Sequence, residues 1–462
     1  MDLKITGGTI VTGSDYYKAE VGIKDGKIVS LAGRIKEEAA QTIEAKGMYV
    51  MPGGIDMHTH LDMPFGGTVS ADDFETGTVA AAFGGTTTIV DFAIQSKGKS
   101  LKNALDTWMD KAKDKAVIDY GFHVAVTDLT DQVMEEIPRL VQAGVTSFKC
   151  FLAYKGALMI DDGALYQVLQ KASQAGALVM IHAENGDVID VLIKEALAKK
   201  QTAPKYHALT RPPAAEGEAT GRGIAIARMA GAPLFIVHLS CKEALDKVKE
   251  ARDHGLPVFA ETCPQYLLKS FNNYLEAGFN GAKYVMSPPL RDESNWDVLW
   301  TGLAMGDLAS VSTDHCPFNF KGQKDMGKGN FAAIPNGAPG LEHRLMLIYS
   351  EGVAKGRISL NRFVELVSTS PAKMFGLFPR KGAVAVGSDA DLVVFDPKKP
   401  FRLSAKTHHQ NVDYTPYEGY QGQGAPAVVI SNGNVIVKDD KFLGRKGAGT
   451  FLKRKPFRLA DL

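Results

Sequence analysis

The feature that most constrains the fold is an alternation of short apolar runs and amphipathic segments through the middle of the chain. Eight apolar runs rich in β-branched residues occur there, from MYVMPGGIDMH to ASVSTDHCP. Amphipathic stretches such as SLKNALDTWMDKAKDK and DDGALYQVLQKASQAG separate them, with apolar residues at helical spacing and Ser, Asp or Gly near their ends. This alternation predicts an α/β fold, namely a (β/α)8 barrel of the TIM type.

The two ends of the chain follow a different pattern. Residues 1–50 contain short stretches of alternating apolar and polar residues between Gly and Asp turns, and residues 382–397 and 426–443 repeat this pattern. We therefore expect both termini to build one small β-sandwich beside the barrel. The predicted domains are the N-terminal part of the sandwich at 1–50, the barrel at 51–378, and the C-terminal part of the sandwich with a tail at 379–462.

Length, charge and cysteine content narrow the class of protein. The 462 residues suffice for a barrel and a smaller domain, and the formal net charge of +1 gives no reason to expect a nucleic-acid partner. The basic segment 441–459 is expected to be a solvated or subunit-contacting tail. There is no signal peptide, no apolar run long enough for a membrane span and no CxxC pair among the four cysteines, so we expect a cytoplasmic protein with reduced thiols and no membrane contact.

Metal-binding or ionisable side chains fall at the ends of five of the predicted strands. In a (β/α)8 barrel these strand ends share the C-terminal rim, where active sites are built. We therefore expect these side chains to converge on one site. They are His58, His60, Lys149, His182, His238 and Asp314.

The chemistry of these side chains indicates a metal centre. His58 and His60 are two residues apart on a strand, so both imidazoles point to the same side, and imidazole suits zinc and similar metals. With His182, His238 and Asp314 added, there are more ligands than one tetrahedral zinc binds. This favours a pair of metals with a bridging group. Lys149 has three interpretations: a carbamate formed with CO₂ that bridges the metals, an amine with a lowered pKa, or a structural or Schiff-base lysine. The carbamate is the preferred one.

The other histidines are expected to have structural roles. His123 is placed in the barrel wall, and His315 faces away from the side of its strand that Asp314 occupies, as Cys150 does beside Lys149. The rest are interpreted as surface or locally hydrogen-bonded residues: His207, His254, His343, His408 and His409.

Several motifs occur in order along nearly the whole chain. Those around the candidate ligands are GGIDMHTH, FKCFLAY, IHAEN, VHLSCKEAL and STDHCPF, and three more are RPPAAEGEA, FKGQKDMGKGNFAAIPNGAPG and GSDADLVVFDP. Together they resemble the hydantoinase/dihydropyrimidinase branch of the amidohydrolase superfamily. The resemblance implies two Zn²⁺ or similar divalent ions and an N-carboxylated Lys149 that bridges them. The implied ligands are His58, His60, Lys149 and Asp314 for the more buried ion, and Lys149, His182 and His238 for the other.

The resemblance also implies contacts with the substrate. Tyr154 would hydrogen-bond the substrate carbonyl, and Ser287 and Asn336 would hold the cyclic imide through their backbone. A pocket for an apolar ring substituent is expected to be lined by Met63, Phe65 and Leu152. For Phe151, Leu158 and Met159, the sequence favours neither lining of this pocket nor packing in the core.

The implied activity is hydrolysis of the cyclic amide bond of hydantoins or dihydropyrimidines, to N-carbamoyl amino acids or 3-ureido acids. A bridging hydroxide would attack the ring carbonyl, with Asp314 as the general base and Tyr154 stabilising the oxyanion. The partners implied are this small cyclic imide or ureide and further copies of the chain, as a homotetramer or a dimer.

Three alternatives remain beside this activity. A dihydroorotase carries an arginine soon after the HxH pair to bind a carboxylate, whereas this chain has the run from Leu61 to Phe65, which is acidic and apolar. The same run disfavours allantoinase less strongly. A non-catalytic scaffold of the same fold is disfavoured because none of the expected metal ligands is missing.

Overall fold

The computed structural model describes residues 1–462 and contains a parallel eight-stranded sheet in the middle of the chain. Each strand pairs with the next one in sequence, in the order that a barrel requires. The predicted (β/α)8 barrel is confirmed. Its strands, first to eighth, are Gly54–Thr59, Thr86–Ile94, Asp119–Ala125, Ser147–Phe151, Leu178–His182, Leu234–Ile236, Val258–Thr262 and Ser310–Val311.

The barrel closes between its first and eighth strands through few backbone contacts and one buried side chain. A single parallel bridge joins Thr59 to His315. The guanidinium of Arg344, which is fully buried, donates to the carbonyl oxygens of Ile55 and Val311 at 2.9 Å each. A side chain thus links two strands that share almost no ladder of their own, near the start of the first strand.

Helices surround the barrel because their apolar faces pack on the strands. In helix Leu101–Ala112, Ser100 caps the start by accepting a hydrogen bond from the Asn103 amide, and Leu105 and Trp108 are buried. All four cysteines lie in the resulting main core as free thiols. No helix combines the length and the apolar character needed to cross a bilayer. The α-helices are Phe74–Phe83, Leu101–Ala112, Asp131–Gln142, Asp162–Gln174, Gly186–Ala198, Lys205–Leu209, Pro213–Ala230, Lys242–Asp253, Pro264–Leu268, Ser294–Met305, Arg344–Ile348, Leu360–Val364 and Ser370–Met374.

Strands from both ends of the chain form two further sheets with a hydrophobic core of their own, as the sandwich prediction required. Tyr49–Pro52 pairs antiparallel with Leu392–Arg402 and so joins the two ends of the chain. The four-stranded sheet contains, in order, Lys27–Ala32, Glu20–Lys24, Leu3–Thr6 and Gln41–Glu44. The seven-stranded sheet contains Lys441–Phe442, Asn434–Lys438, Gln421–Ser431, Leu392–Arg402, Tyr49–Pro52, Thr9–Val11 and Tyr16–Lys18.

The C-terminal tail is anchored to the barrel by a few buried residues while most of its basic side chains stay exposed, and the expectation of a solvated or subunit-contacting tail stays a prediction. The Leu452 amide donates to the Tyr120 carbonyl at 2.7 Å, next to the start of the third barrel strand, and Leu452 and Arg454 are both buried. The tail approaches the barrel so closely that a Cβ on Gly449 would lie 1.9 Å from the carbonyl oxygen of Ile118. The tail therefore packs against the N-terminal ends of the barrel strands, opposite the rim that carries the site.

Candidate metal centre

The six residues that the strand ends predicted all line one cavity at the C-terminal rim. His58 and His182 belong to the first and fifth strands and Lys149 to the fourth, whereas His238 and Asp314 follow the sixth and eighth strands. All six are among the residues that line this cavity. Side chains from five strands thus converge on one cavity.

The first group of side chains gathers around a carboxylate. One oxygen of Asp314, Oδ1, lies 3.2 Å from Nε2 of His58 and 3.2 Å from Nε2 of His60. Burial alone would raise the pKa of Asp314, but the two imidazoles outweigh it and hold this pKa well below its usual range. The carboxylate is therefore ionised, and it forms with the two ring nitrogens a cluster of three ligand atoms.

A second carboxylate orients His58 from behind. Oε1 of Glu261 lies 2.6 Å from Nδ1 of His58, so this nitrogen carries the proton and Nε2 faces the cavity as a potential ligand. Burial would lower the pKa of His58, but Asp314 and Glu261 raise it more strongly. The same two carboxylates that favour a proton on this ring also favour a metal cation beside it.

The second group consists of His182 and His238. Nδ1 of His182 lies 2.9 Å from Nε2 of His238. Glu184 binds the other nitrogen of His182 at 2.8 Å and so orients this ring as Glu261 orients His58. Burial lowers the pKa of both imidazoles. Both rings are therefore neutral at physiological pH, which is the form that binds metals.

Lys149 lines the same cavity and lies beside two aromatic rings. Its side chain is buried, and its Nζ faces the rings of Phe92 and Phe151 at 5.2 and 5.3 Å from their centroids. Burial lowers the pKa of Lys149 to about 7. A substantial fraction of this amine is therefore uncharged near neutral pH, and only the free amine can add to CO₂ to form a carbamate.

The cluster fits divalent metal ions. Its donors are four imidazoles, one carboxylate and a lysine, and imidazole nitrogens with carboxylate oxygens are the ligands of zinc and similar metals. His58, His238 and Asp314 offer ligand atoms that all lie within 4.8 Å of one another. In addition, Nδ1 of His238 and Oε2 of Glu261 are buried without a hydrogen-bond partner, whereas buried polar atoms are normally paired.

Three residues that line the cavity have an unusual backbone conformation. Tyr154, His238 and Asp314 have φ angles of 63°, 39° and 53°, in the left-handed region that residues other than glycine rarely occupy. Such strain costs free energy and persists where the surrounding structure holds a functional group in place. The three outliers therefore mark this rim as a functional site independently of its side-chain chemistry.

The residues predicted to contact the substrate lie beside the metal ligands. Tyr154, Ser287 and Asn336 all line the cavity, and Nδ2 of Asn336 donates to Oγ of Ser287 at 3.1 Å. Burial raises the pKa of Tyr154 to about 12, so its hydroxyl stays protonated and can donate. Part of the lining is apolar and includes Met63 and Phe65.

Leu152 does not line the cavity, contrary to the expectation for its loop. The side chain is fully buried in the main hydrophobic core, because Leu152 follows the end of the fourth strand on the side that faces the helices. The preceding Phe151 faces the cavity, as does Leu158, whereas Met159 is absent from the lining. Alternation along the strand thus separates two neighbouring apolar residues.

Several residues at or near the site were not predicted. Glu184 follows His182 at the i+2 spacing that identified His58 and His60, so the same argument could have found it. Glu261 lies near the end of the seventh strand, and polar residues at the ends of other strands were the ones that predicted the site. His207, expected at the surface or in a local bond, is buried and its Nε2 bonds the distant Met286 carbonyl at 2.8 Å; His343, expected likewise, is also buried.

The architecture is that of a (β/α)8 barrel whose C-terminal rim carries a cluster of metal-binding side chains. Residues 49–436 match the sequence model of the amidohydrolase family, and the chain belongs to this family. The D-hydantoinase of Geobacillus stearothermophilus is 55% identical to it over 455 residues, which span 98% of this chain and 96% of that protein.

Solved structures agree with this assignment. The crystal structure of dihydropyrimidinase from Brevibacillus agri has a TM-score of 0.98 and 54% identity, and the match covers 99% of this chain and 100% of that one. The L-hydantoinase (dihydropyrimidinase) from Arthrobacter aurescens is similar at a TM-score of 0.90 and 29% identity, over 98% of this chain and 100% of that one. Proteins named for two kinds of cyclic substrate and for opposite enantiomers thus share this fold.

Proposed function

We propose that this protein hydrolyses the cyclic amide bond of hydantoins and dihydropyrimidines, giving N-carbamoyl amino acids and 3-ureido acids. The observation that carries the proposal is the convergence of six metal-competent side chains and three polar substrate contacts on one cavity. The names of its relatives support the substrate class, since they are hydantoinases and dihydropyrimidinases. The apolar wall at Met63 and Phe65 offers no partner for a carboxylate, which favours this class over dihydroorotate.

The cavity residues would hold two divalent cations. His58, His60 and Asp314 would hold one of them and His182 and His238 the other, and Lys149 as a carbamate would serve as a ligand of both. Two such ions lower the pKa of water, so that hydroxide is available near neutral pH.

The residues of this chain would bind the substrate, polarise it and move one proton. Ser287 and Asn336 hold the ring, and the protonated hydroxyl of Tyr154 donates to the oxyanion that forms when hydroxide adds to the ring carbonyl. Asp314 accepts the proton of the attacking water. It then gives this proton to the ring nitrogen as the C–N bond breaks, so that an uncharged ureido group and a carboxylic acid are produced, and the acid releases its own proton to the solvent.

The test is a ring-opening assay combined with metal analysis. Purified protein should open hydantoin, dihydrouracil or a 5-substituted hydantoin in preference to dihydroorotate and allantoin. It should carry about two divalent ions per chain, and chelation should abolish its activity. Full activity in a rigorously metal-free preparation would contradict the metal assignment, and the absence of ring opening with every cyclic ureide would refute the function.

Phe65 is expected to select between bulky and unsubstituted rings. It lies at the cavity mouth with its ring edge-on to Tyr154 at 5.5 Å between centroids. Phe65→Ala should change the ratio of kcat/KM for 5-phenylhydantoin and dihydrouracil by about 10- to 100-fold, because an apolar pocket discriminates by roughly that much. Metal content should not change.

Leu152→Ala is the matched control for this change. Because Leu152 is buried in the core, the substitution should lower the free energy of unfolding by about 2–5 kcal/mol without altering the substrate ratio. Equal losses on all substrates with Phe65→Ala would show that Phe65 is only structural. Thermal melts and steady-state kinetics on both variants distinguish these results.

A further inference from the structure

Lys324 is a buried lysine that no step of the proposed reaction uses. It begins the short 3-10 helix Lys324–Gly327 and is completely inaccessible to solvent. Its Nζ donates to three backbone carbonyl oxygens, those of Val285 at 2.7 Å, Pro335 at 2.7 Å and Gly337 at 2.6 Å. Burial lowers the pKa of Lys324 to about 7, but only the ammonium form has the three N–H donors that these three carbonyls take up.

These three carbonyls belong to the two segments that carry the substrate contacts. Val285 lies two residues before Ser287, and Pro335 and Gly337 flank Asn336 on either side. Apart from Lys324, the segments are joined by the Gly337 amide, which donates to the Val285 carbonyl at 3.0 Å, and by the bond between the Asn336 and Ser287 side chains. One buried cation therefore ties together the backbone on both sides of the ring-binding contacts.

The backbone at Gly337, between the hydrogen bonds of Lys324, is tightly packed. Gly337 has a φ of 145°, and a Cβ there would lie 2.2 Å from the carbonyl oxygen of Cys316. This segment can therefore not move inward. Without the ammonium, the carbonyl oxygens of Pro335 and Gly337 would be left buried and unpaired, and that of Val285 would keep only the hydrogen bond from the Gly337 amide.

Lys324 is also connected to the apolar side of the cavity. The amide of its neighbour Gln323 donates through Nε2 to Oγ1 of Thr68 and to the carbonyl oxygen of Val69, each at 2.8 Å. These residues form the second strand of the hairpin whose first strand is Pro64–Phe65. The turn that carries Lys324 thus contacts all three segments that surround the mouth of the cavity.

We infer that Lys324 is a positioning residue that fixes the distance between Ser287 and Asn336 and so sets the affinity for the cyclic substrate. It acts through these two residues and touches neither the reacting atoms nor the metal ligands. The inference rests on the proposed function. Its effect should therefore appear in substrate binding and leave metal loading unchanged.

The test is steady-state kinetics on Lys324→Met, which keeps the bulk of the side chain and removes the donors. KM for hydantoin or dihydrouracil should rise by about 10- to 100-fold, as expected when hydrogen bonds from a charged group are lost. The kcat value should stay within about threefold of the wild type, because the hydroxide and Asp314 are not displaced. Metal content should be unchanged.

A second variant separates positioning from general stability. Lys324→Ala leaves space for the part that was removed, so n-propylammonium should restore KM, whereas uncharged 1-propanol should not. Lys381→Met is the matched control, because Lys381 is equally buried but binds Asp119 at 2.7 Å, at the opposite end of the barrel. This control should lower the melting temperature and leave KM unchanged.

The outcomes are distinct. A folded Lys324→Met protein with the KM of the wild type, or a Lys324→Ala protein that propylammonium does not rescue, overturns the inference while the proposed function stands. A wild-type protein that opens no cyclic ureide refutes the proposed function, and the inference falls with it. A rise in KM of the same size in Lys381→Met would show that the effect is unspecific destabilisation.

Discussion

Replacing Lys149 with alanine is expected to remove the metals and the hydrolytic activity together. The lysine is buried between the two groups of ligands, and its lowered pKa of about 7 makes the free amine available for carbamate formation. Without the bridging anion, the remaining imidazoles and one carboxylate would hold two cations poorly. We expect kcat/KM to fall by about a thousandfold or more, because the metal-activated hydroxide supplies several kcal/mol of the rate enhancement and each 1.4 kcal/mol is a factor of ten.

Two experiments test whether residue 149 must supply a carbamate or only a charged group. Lys149→Arg should be as inactive as Lys149→Ala, because a guanidinium is always cationic and cannot form the carbamate. Short carboxylic acids should restore part of the metal content and activity of Lys149→Ala by replacing the carbamate oxygens. Metal analysis, intact mass and kinetics measure this, and a fully active wild-type enzyme with an unmodified lysine would contradict the prediction.

The fold and the metal ligands could be predicted because each depends on local sequence periodicity. Alternating strands and helices specify the barrel, and the rule that active sites lie at the C-terminal ends of barrel strands identified His182 and His238 without any knowledge of distances. The HxH spacing gave the relative orientation of His58 and His60 for the same reason. All four imidazoles line one cavity in the structure.

The features that could not be predicted depend on contacts between distant parts of the chain. The interaction of Glu261 with His58 joins residues 203 positions apart, and that of Arg344 with Ile55 joins residues 289 apart. No local pattern encodes such pairs. Leu152 was misplaced for a different reason: the alternation that directs Lys149 and Phe151 into the cavity directs Leu152 to the opposite side, and this local rule was not applied to it.

The burial of Lys324 could not be predicted from the sequence for the same reason as the contacts of Glu261 and Arg344. A lysine in a loop rich in Gly and Pro is ordinarily exposed, and its burial arises because three carbonyls from two other segments converge on it. Residues 322–340 belong to one of the motifs that carry the family resemblance, and long loops of this kind often bind substrate. Which residue of the loop mattered became visible only from its three-dimensional surroundings.

Asp314→Asn is expected to have the second largest effect on catalysis. Asparagine is the conservative choice because it fits the same space and tolerates the left-handed backbone, where Asp314 has a φ of 53°. The substitution removes the negative charge that attracts a cation between His58 and His60, and it removes the only proton acceptor assigned to the reaction. The kcat value should fall by about a hundredfold to ten-thousandfold, the range that general acid–base groups contribute.

Two measurements separate the losses of ligand and base in this variant. Metal content reports the first, and kcat measured after saturation with added Zn²⁺ reports the second, since restored metal does not replace the proton acceptor. Asp119→Asn is the control, because this buried carboxylate pairs with Lys381 at the opposite end of the barrel and should affect only stability. If zinc-saturated Asp314→Asn turned over at the wild-type rate, Asp314 would be a ligand alone and the proton would have to be carried by another group in the cavity.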